Sequence, residues 1–95
     1  NDLIIDPGFG FSKTTEQNYE LLNNLDLFKQ FQKPLLVGVS RKSMIYKTLN
    51  TTPEKALNGS SVLHTISLLK GANILRTHDV KEAVECVKIL SQLKG

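Results

Sequence analysis

Three short apolar runs, at residues 3–5, 35–39 and 72–75, constrain the fold more than any other feature of the chain. The first run is continuous, the second contains Gly38 and the third, weaker in composition, contains Asn73; each is followed at once by a polar or charged residue, which is typical of strands buried in a parallel sheet. Segments with helical patterning separate the runs, so the order is strand, helix, strand, helices, strand, helix. This alternation predicts an α/β fold with parallel strands and right-handed crossovers, in either a doubly wound sheet or a barrel.

The first helix has a clear start signal. Thr14 and Gln17 form a possible capping box, and we expect the helix to reach about Phe31. A short second helical segment is expected over residues 44–49. The apolar stripe of the first helix is predicted to consist of Tyr19, Leu21, Leu22, Leu25 and Phe28.

A third helical segment begins near residue 52. The turn-forming pair at residues 58–59 is expected to interrupt it, with a restart at Ser60 or Ser61 and an end at Gly71. Its core-facing residues are predicted to be Val62, Ile66 and Leu69.

The last helix begins at Asp79, which makes a box-like cap with Glu82. Cys86, the single cysteine, lies on the inner side of this helix, so no internal disulfide framework is possible and a buried thiol is expected. The face directed at the core is predicted to be Ala83, Val87, Leu90 and Leu93.

Composition narrows the possible functions. The formal charge is +3, but the cations are scattered and there is no Trp for base stacking, so anionic small molecules fit the charge as well as nucleic acid does. No stretch has the length of a membrane span and no signal peptide is visible, so we expect a cytoplasmic protein without a membrane or nucleic-acid partner. Because the chain lacks an initial Met and enters an apolar run within two residues, we also expect a piece of a larger protein.

Parallel strands place their carboxyl ends on one rim, where α/β proteins keep their chemistry. Asp6, the segment 40–43 and Arg76 with His78 should therefore converge. Arg76 and His78 lie two residues apart, so an extended chain would present them on one side as an anion clamp. The alternative for His78 is a role in capping the last helix.

Other residues on this rim allow two interpretations. Asp6 is either a turn residue or a carboxylate that accepts paired N–H groups from a heterocycle. Arg41 and Lys42 are adjacent and should point in different directions, one into solvent and one into the site, but the sequence does not decide between them. Phe9 and Phe11 either anchor a loop on the core or form a platform for a flat ligand.

Two familiar motifs fail, and two residues have ordinary explanations. The phosphate-binding loop of nucleotide hydrolases requires glycine where Pro7 and Ser12 stand, and the dinucleotide fingerprint requires glycine at Lys13. A receiver-type domain with a phosphoacceptor Asp would need an acidic cluster beside Asp6, which is missing. Lys13 is expected to be a solvated loop lysine, and His64, which has no ligand partners at metal-binding spacing, to be structural.

Three strand-end segments together resemble the dihydropteroate synthase family. They are DPGFGF at residues 6–11, SRKS at 40–43 and RTHDV at 76–80, in the family's order, and NGS at 58–60 resembles the start of its penultimate helix. Thr77 stands where the family often has Val. The resemblance covers almost the whole chain and implies the last part, about strands six to eight with their helices, of a (β/α)8 TIM barrel. Residues 1–95 would then be the C-terminal portion of one pterin-binding domain.

The resemblance implies a transferase of folate biosynthesis and a sulfonamide target. Such an enzyme condenses 6-hydroxymethyl-7,8-dihydropterin diphosphate with 4-aminobenzoate to give 7,8-dihydropteroate and diphosphate. It further implies Mg²⁺ with its protein ligand upstream of this chain, a homodimer, and an inactive isolated fragment. By resemblance, Lys42, Arg76 and His78 would be catalytic. The substrate-binding residues would be Asp6, Phe11, Lys42, Ser43, Arg76, Thr77 and His78, and none of these would be a metal ligand.

Overall fold

The computed structural model describes residues 3–93, so the predicted domain extends beyond the described range at both ends. Helices and short parallel strands alternate in it, as the apolar runs predict. The elements are α1 (Thr15–Asn23), a 3-10 helix (Leu25–Phe31), β1 (Leu36–Val37), α2 (Ser43–Thr48), a 3-10 turn (Pro53–Lys55), α3 (Leu57–Leu69), β2 (Ile74–Leu75) and α4 (Val80–Leu93).

The strands are parallel, which confirms that part of the prediction. In the described residues, β1 and β2 form a two-stranded sheet in which Leu36 pairs with Ile74. The first apolar run contributes a single parallel bridge from Ile5 to Leu35, and its neighbours Leu3 and Ile4 are exposed. The predicted strand over residues 3–5 is therefore reduced to one bridge, because no other described segment pairs with it.

The first helical segment differs from the prediction in its second half. Its capping box is present: the Thr14 hydroxyl accepts from the Gln17 N–H and the Gln17 side chain accepts from the Thr14 N–H. The α-helix ends at Asn23, however, and a 3-10 helix continues to Phe31. Three residues per turn is the 3-10 period, so the three-residue spacing of the stripe keeps Leu25 buried and Phe28 packed against the core.

Helix α3 corrects two predictions. It begins at Leu57 and runs through residues 58–59 without interruption, so the predicted restart at Ser60 or Ser61 is wrong. The predicted core face is correct only at Ile66, which packs against the core, since Val62 and Leu69 are exposed. A serine whose hydroxyl donates to a carbonyl of its own helix can be buried without leaving an unpaired polar group, and a glycine can be buried because it has no side chain. The helix therefore buries mainly a different face. The buried residues are Gly59, Ser60, Leu63, His64 and Ser67.

Helix α4 buries less than its pattern predicts. Ala83 is buried and Cys86 is half-buried, but Val87 and Leu93 are exposed. The predicted capping box at its start is absent, because the Asp79 N–H donates to the Thr77 hydroxyl instead of meeting Glu82. None of the helices described between residues 3 and 93 has the length and hydropathy needed to cross a membrane.

Candidate active site

Beyond the ends of β1 and β2, residues that are 38 positions apart in the sequence still lie opposite each other. Leu36 pairs with Ile74. Two residues further on, a Cβ built on Gly38 would lie 3.7 Å from the Arg76 Cβ, and after two more, Ser40 Oγ is 2.9 Å from His78 Nδ1. The alternation of side chains along a strand thus places Arg76 and His78 against one neighbouring segment.

Lys42 turns into the loop that follows the first apolar run. Its ammonium donates a 2.6 Å hydrogen bond to the Phe9 carbonyl oxygen and lies 5.8 Å from the centre of the Phe11 ring. Desolvation by burial lowers the pKa of Lys42, the Asp6 carboxylate opposes that shift, and Arg76 and Lys13 add to it. Lys42, in the loop after the second run, therefore lies near enough to the loops after the first and third runs for their charges to act on its pKa.

Arg41 points the other way and settles the question that the sequence left open. Its guanidinium forms a bidentate pair with Asp79, at 2.9 Å from Nε and 2.8 Å from Nη2, and its Nη1 donates to the carbonyls of Pro53 and Glu54. A backbone φ of 53° at Arg41 turns consecutive side chains apart. Arg41 thus joins two loops of the rim, and Lys42 is the residue that turns toward the loop at residues 6–13.

We expect Asp79→Asn to change stability in a pH-dependent way. The Arg41 guanidinium holds the pKa of Asp79 below its usual range. A carboxyl group with a depressed folded-state pKa stabilises the fold above its unfolded pKa, about 3.9, and loses that contribution as pH falls through the folded value. The stability difference between wild type and Asp79→Asn, measured by denaturant unfolding of the complete protein, should therefore shrink as pH falls below about 4.

Glu85→Gln is the matched control for this measurement. Glu85 faces Lys81 at 4.0 Å, but both side chains are exposed, so water screens the pair and its loss should change stability little at any pH. An Asp79→Asn difference that stays constant across this pH range would show that the Arg41 pair does not depress the Asp79 pKa.

The loop at residues 6–13 is held by its own polar contacts. Asp6 accepts the Gly8 N–H at 2.9 Å through Oδ1, so the turn role exists, and it leaves the carboxylate's second oxygen for another partner. Phe9 is fully buried in the core, whereas Phe11 is 75% exposed. Of the two loop aromatics, one is therefore an anchor and the other presents its ring at the surface. Lys13 is half-buried and donates to the Gly8 carbonyl, rather than being a fully solvated lysine.

Asn18 is a positioning residue that the sequence interpretation missed. It is 1% exposed in α1, its side-chain oxygen accepts the Gly10 N–H at 2.9 Å, and its amide donates to the Thr14 carbonyl. It ties the glycine loop to the helix, next to the Lys42 stem. Asn18 lies four residues before Leu22 and therefore on the buried face of α1. A polar residue on an otherwise apolar face could have identified it from the sequence.

The remaining predicted residues line or border the same rim. Ser43 opens α2 and lines an open groove of ≈ 410 Å³. Thr77 is engaged within the chain, since its hydroxyl accepts the Asp79 N–H. His64 lies apart in α3, where burial lowers its pKa and its Nε2 has no hydrogen-bond partner within residues 3–93. The other groove residues are Phe9, Gly10, Phe11, Arg41, Lys42, Tyr46 and Pro53.

The rim offers cations rather than a set of metal ligands. Of its carboxylates, Asp79 is paired with Arg41 and Asp6 accepts a turn N–H. No group of three His, Cys, Asp or Glu residues in the described part of the chain could hold a metal ion. These residues therefore do not by themselves fit a Mg²⁺ site.

Known proteins similar to this chain share one activity in their names. A family model described as pterin binding enzyme matches residues 1–78. Dihydropteroate synthase of Escherichia coli (strain K12) is 50% identical over 88 residues, which are 93% of this chain and 31% of that protein. The chain thus spans about a third of the length of this relative.

Solved structures give the same result. The Yersinia pestis dihydropteroate synthase in a sulfonamide drug complex superposes with a TM-score of 0.94 at 46% identity, covering 97% of this chain and 34% of that one. The Coxiella burnetii dihydropteroate synthase in complex with pteroic acid has a TM-score of 0.91 at 44% identity, again covering 97% and 34%.

Proposed function

This chain belongs to the pterin binding enzyme family, and from that premise we propose that the complete protein is a dihydropteroate synthase. It would join 4-aminobenzoate to 6-hydroxymethyl-7,8-dihydropterin diphosphate, as the resemblance of its strand-end motifs implies. The observation that carries the proposal is the contact of the segment 40–43 with both neighbouring strand-end loops: the Lys42 ammonium donates to the Phe9 carbonyl at 2.6 Å, and Ser40 Oγ lies 2.9 Å from His78 Nδ1.

The cations suit the departure of a diphosphate. As the bond between the methylene carbon and the diphosphate oxygen breaks, its electron pair goes to the diphosphate, and the new charge has to be stabilised. Arg76 lies beside Gly38 and His78 beside Ser40, so both side chains extend from the same side of the strand end. Both could therefore donate hydrogen bonds to the diphosphate oxygens. We therefore propose that Arg76 and His78 bind the departing diphosphate.

For the amine to attack, the protein has to hold the ring of 4-aminobenzoate and the polar edge of the pterin in place. The aniline nitrogen of 4-aminobenzoate is neutral at physiological pH, so it can form the new carbon–nitrogen bond without a general base and lose its proton afterwards. Phe11 is exposed beside the Lys42 ammonium and suits packing on the aminobenzoate ring, and Ser43 in the same groove suits its carboxylate. Asp6 has one carboxylate oxygen left to accept N–H groups from the pterin.

Lys42 has donors left for a substrate. An ammonium group has three N–H donors, and one goes to the Phe9 carbonyl. The other two can reach the pterin ring or the aminobenzoate site that borders it. Thr77, proposed by resemblance to bind substrate, accepts the Asp79 N–H with its hydroxyl and lies 3.5 Å from Ser40 Oγ, so its O–H donor has only a long contact within the chain.

The same premise supports finer proposals about the whole protein. We assign this chain to about strands six to eight of a (β/α)8 barrel, and we propose that the complete enzyme is a cytoplasmic homodimer. Mg²⁺, which would neutralise the diphosphate when bound, would be held by residues outside this chain, in keeping with the cationic rim.

The direct test is diphosphate release by the complete protein from the pterin diphosphate and 4-aminobenzoate. We expect turnover there, and none from residues 1–95 alone, since the remaining pterin contacts and the Mg²⁺ ligand would lie outside them. Diphosphate release by the isolated chain would contradict the expected division of the site. Thermal stabilisation of the complete protein by the pterin diphosphate, and not by ATP or acetyl phosphate, would separate the proposal from nucleotide hydrolase and receiver functions.

A further inference from the structure

Ser40 lies directly behind His78 and contacts it twice. Its hydroxyl oxygen accepts the His78 backbone N–H at 3.1 Å and lies 2.9 Å from the ring nitrogen Nδ1. Ser40 is 4% exposed, so water has little access to its hydroxyl. A buried hydroxyl with two contacts to one residue restricts both the backbone and the ring of that residue.

The hydrogen on the Ser40 hydroxyl has one well-placed acceptor among these contacts. The backbone N–H of His78 already donates to Ser40 Oγ, and the Thr77 hydroxyl lies 3.5 Å away, at the limit of a hydrogen bond. At 2.9 Å, Nδ1 is much the better acceptor for the Ser40 O–H. A neutral imidazole accepts at one nitrogen and donates from the other, so this bond places the proton on Nε2.

Among residues 3–93, no carboxylate forms a hydrogen bond with Nδ1. Asp79 is the neighbouring acid, but its two oxygens bind Nε and Nη2 of Arg41. The common arrangement in which a carboxylate takes the Nδ1 proton and leaves Nε2 as a base is therefore not formed here. Instead, the neutral ring would keep an N–H at Nε2, on the side away from Ser40.

We propose, on the basis of the function proposed above, that Ser40 is a positioning residue that fixes the Nε2–H tautomer of His78 and thereby makes its neutral ring a hydrogen-bond donor to the departing diphosphate. The ring does not have to transfer its proton in this role. It supplies an oriented donor at the moment when negative charge grows on the leaving oxygen.

The test reads the tautomer directly in the complete enzyme labelled with ¹⁵N-histidine, at about pH 8, where an ordinary histidine is neutral. The His78 signals are identified by their loss in His78→Gln. We expect a protonated Nε2 and an unprotonated Nδ1 in wild type, and a mixture of both tautomers in Ser40→Ala. A protonated Nδ1 in wild type, or an unchanged pattern in Ser40→Ala, would overturn the proposal.

Ser67→Ala is the matched control. Ser67 is also a fully buried serine, but its hydroxyl donates to the Leu63 carbonyl inside α3 and does not contact His78. Its replacement should leave the His78 signals as in wild type. Ser40→Cys, which keeps the size of the side chain but weakens the donor, gives the same readout should the alanine variant fail to fold.

Kinetics provide a second readout that a structural role would not produce. We expect Ser40→Ala to lower kcat about tenfold, the loss of one oriented hydrogen bond to a charged group, with KM for 4-aminobenzoate unchanged and with recovery in Ser40→Thr. An unchanged kcat in Ser40→Ala would remove the positioning role even if the tautomer shifts. Absence of turnover in the wild type would reject the proposed function. The NMR measurement would still show which ring nitrogen of His78 carries the proton, so the two failures can be told apart.

Discussion

Lys42→Met in the complete enzyme should lower kcat/KM on the order of 10²–10³-fold, the usual effect of removing one preorganised donor from an active site. The Met side chain keeps the apolar stem that packs beside Gly10 and removes the ammonium that donates to Phe9. Steady-state kinetics with both substrates would measure the loss. Lys42→Ala, which removes the stem as well, should be at least as damaging.

Lys47→Met provides the control for that experiment. Lys47 lies on the same short helix, α2, but is exposed and has no place in the rim, so its replacement should leave both kinetic constants near wild type. Wild-type kinetics for Lys42→Met with both substrates would remove Lys42 from the site and with it the central part of the proposed function.

Gly59→Ala should destabilise the complete protein, although alanine is the better helix former. A Cβ at this position would lie within the contact distance of the Ile45 Cγ2 methyl and 3.1 Å from Leu49 Cδ1, because α3 packs closely on α2 there. Ile45 is buried and β-branched, so that methyl cannot swing away. Overpacking costs about 1–3 kcal/mol, and the helix-propensity gain of about 1 kcal/mol offsets only part of it.

Denaturant unfolding would measure this change, with a net loss of about 1–2 kcal/mol expected. Asn58→Ala is the matched control, because Asn58 is the preceding residue of the same helix and is exposed, so only the propensity gain should remain. A shift of α3 should also disturb the loop at residues 40–43, since the hydroxyl of the adjacent Ser60 accepts the backbone N–H of Arg41 at 2.9 Å. A Gly59→Ala protein as stable as Asn58→Ala would show that the two helices separate at little cost.

Polar positions on helices were predicted least well, and the reason is local. The apolar pattern of α3 favoured Val62 and Leu69, yet the structure buries serines whose hydroxyls donate to carbonyls one turn earlier, as Ser67 does to Leu63. Hydrophobic periodicity cannot detect a polar side chain that satisfies itself. Asn18 was missed for the same reason, because its amide group is paired at both ends.

The sequence alone determined the parallel α/β order and the capping box at Thr14, and it predicted that Asp6, the segment 40–43 and Arg76 share one rim, because apolar runs, cap residues and strand polarity act through neighbours in the chain. Which of Arg41 and Lys42 turns toward the loop at residues 6–13 was decided only by tertiary structure. That choice depends on a backbone turn at Arg41 and on Asp79, a partner 38 residues away. Contacts at such separation depend on the offset between β1 and β2, which no local pattern encodes.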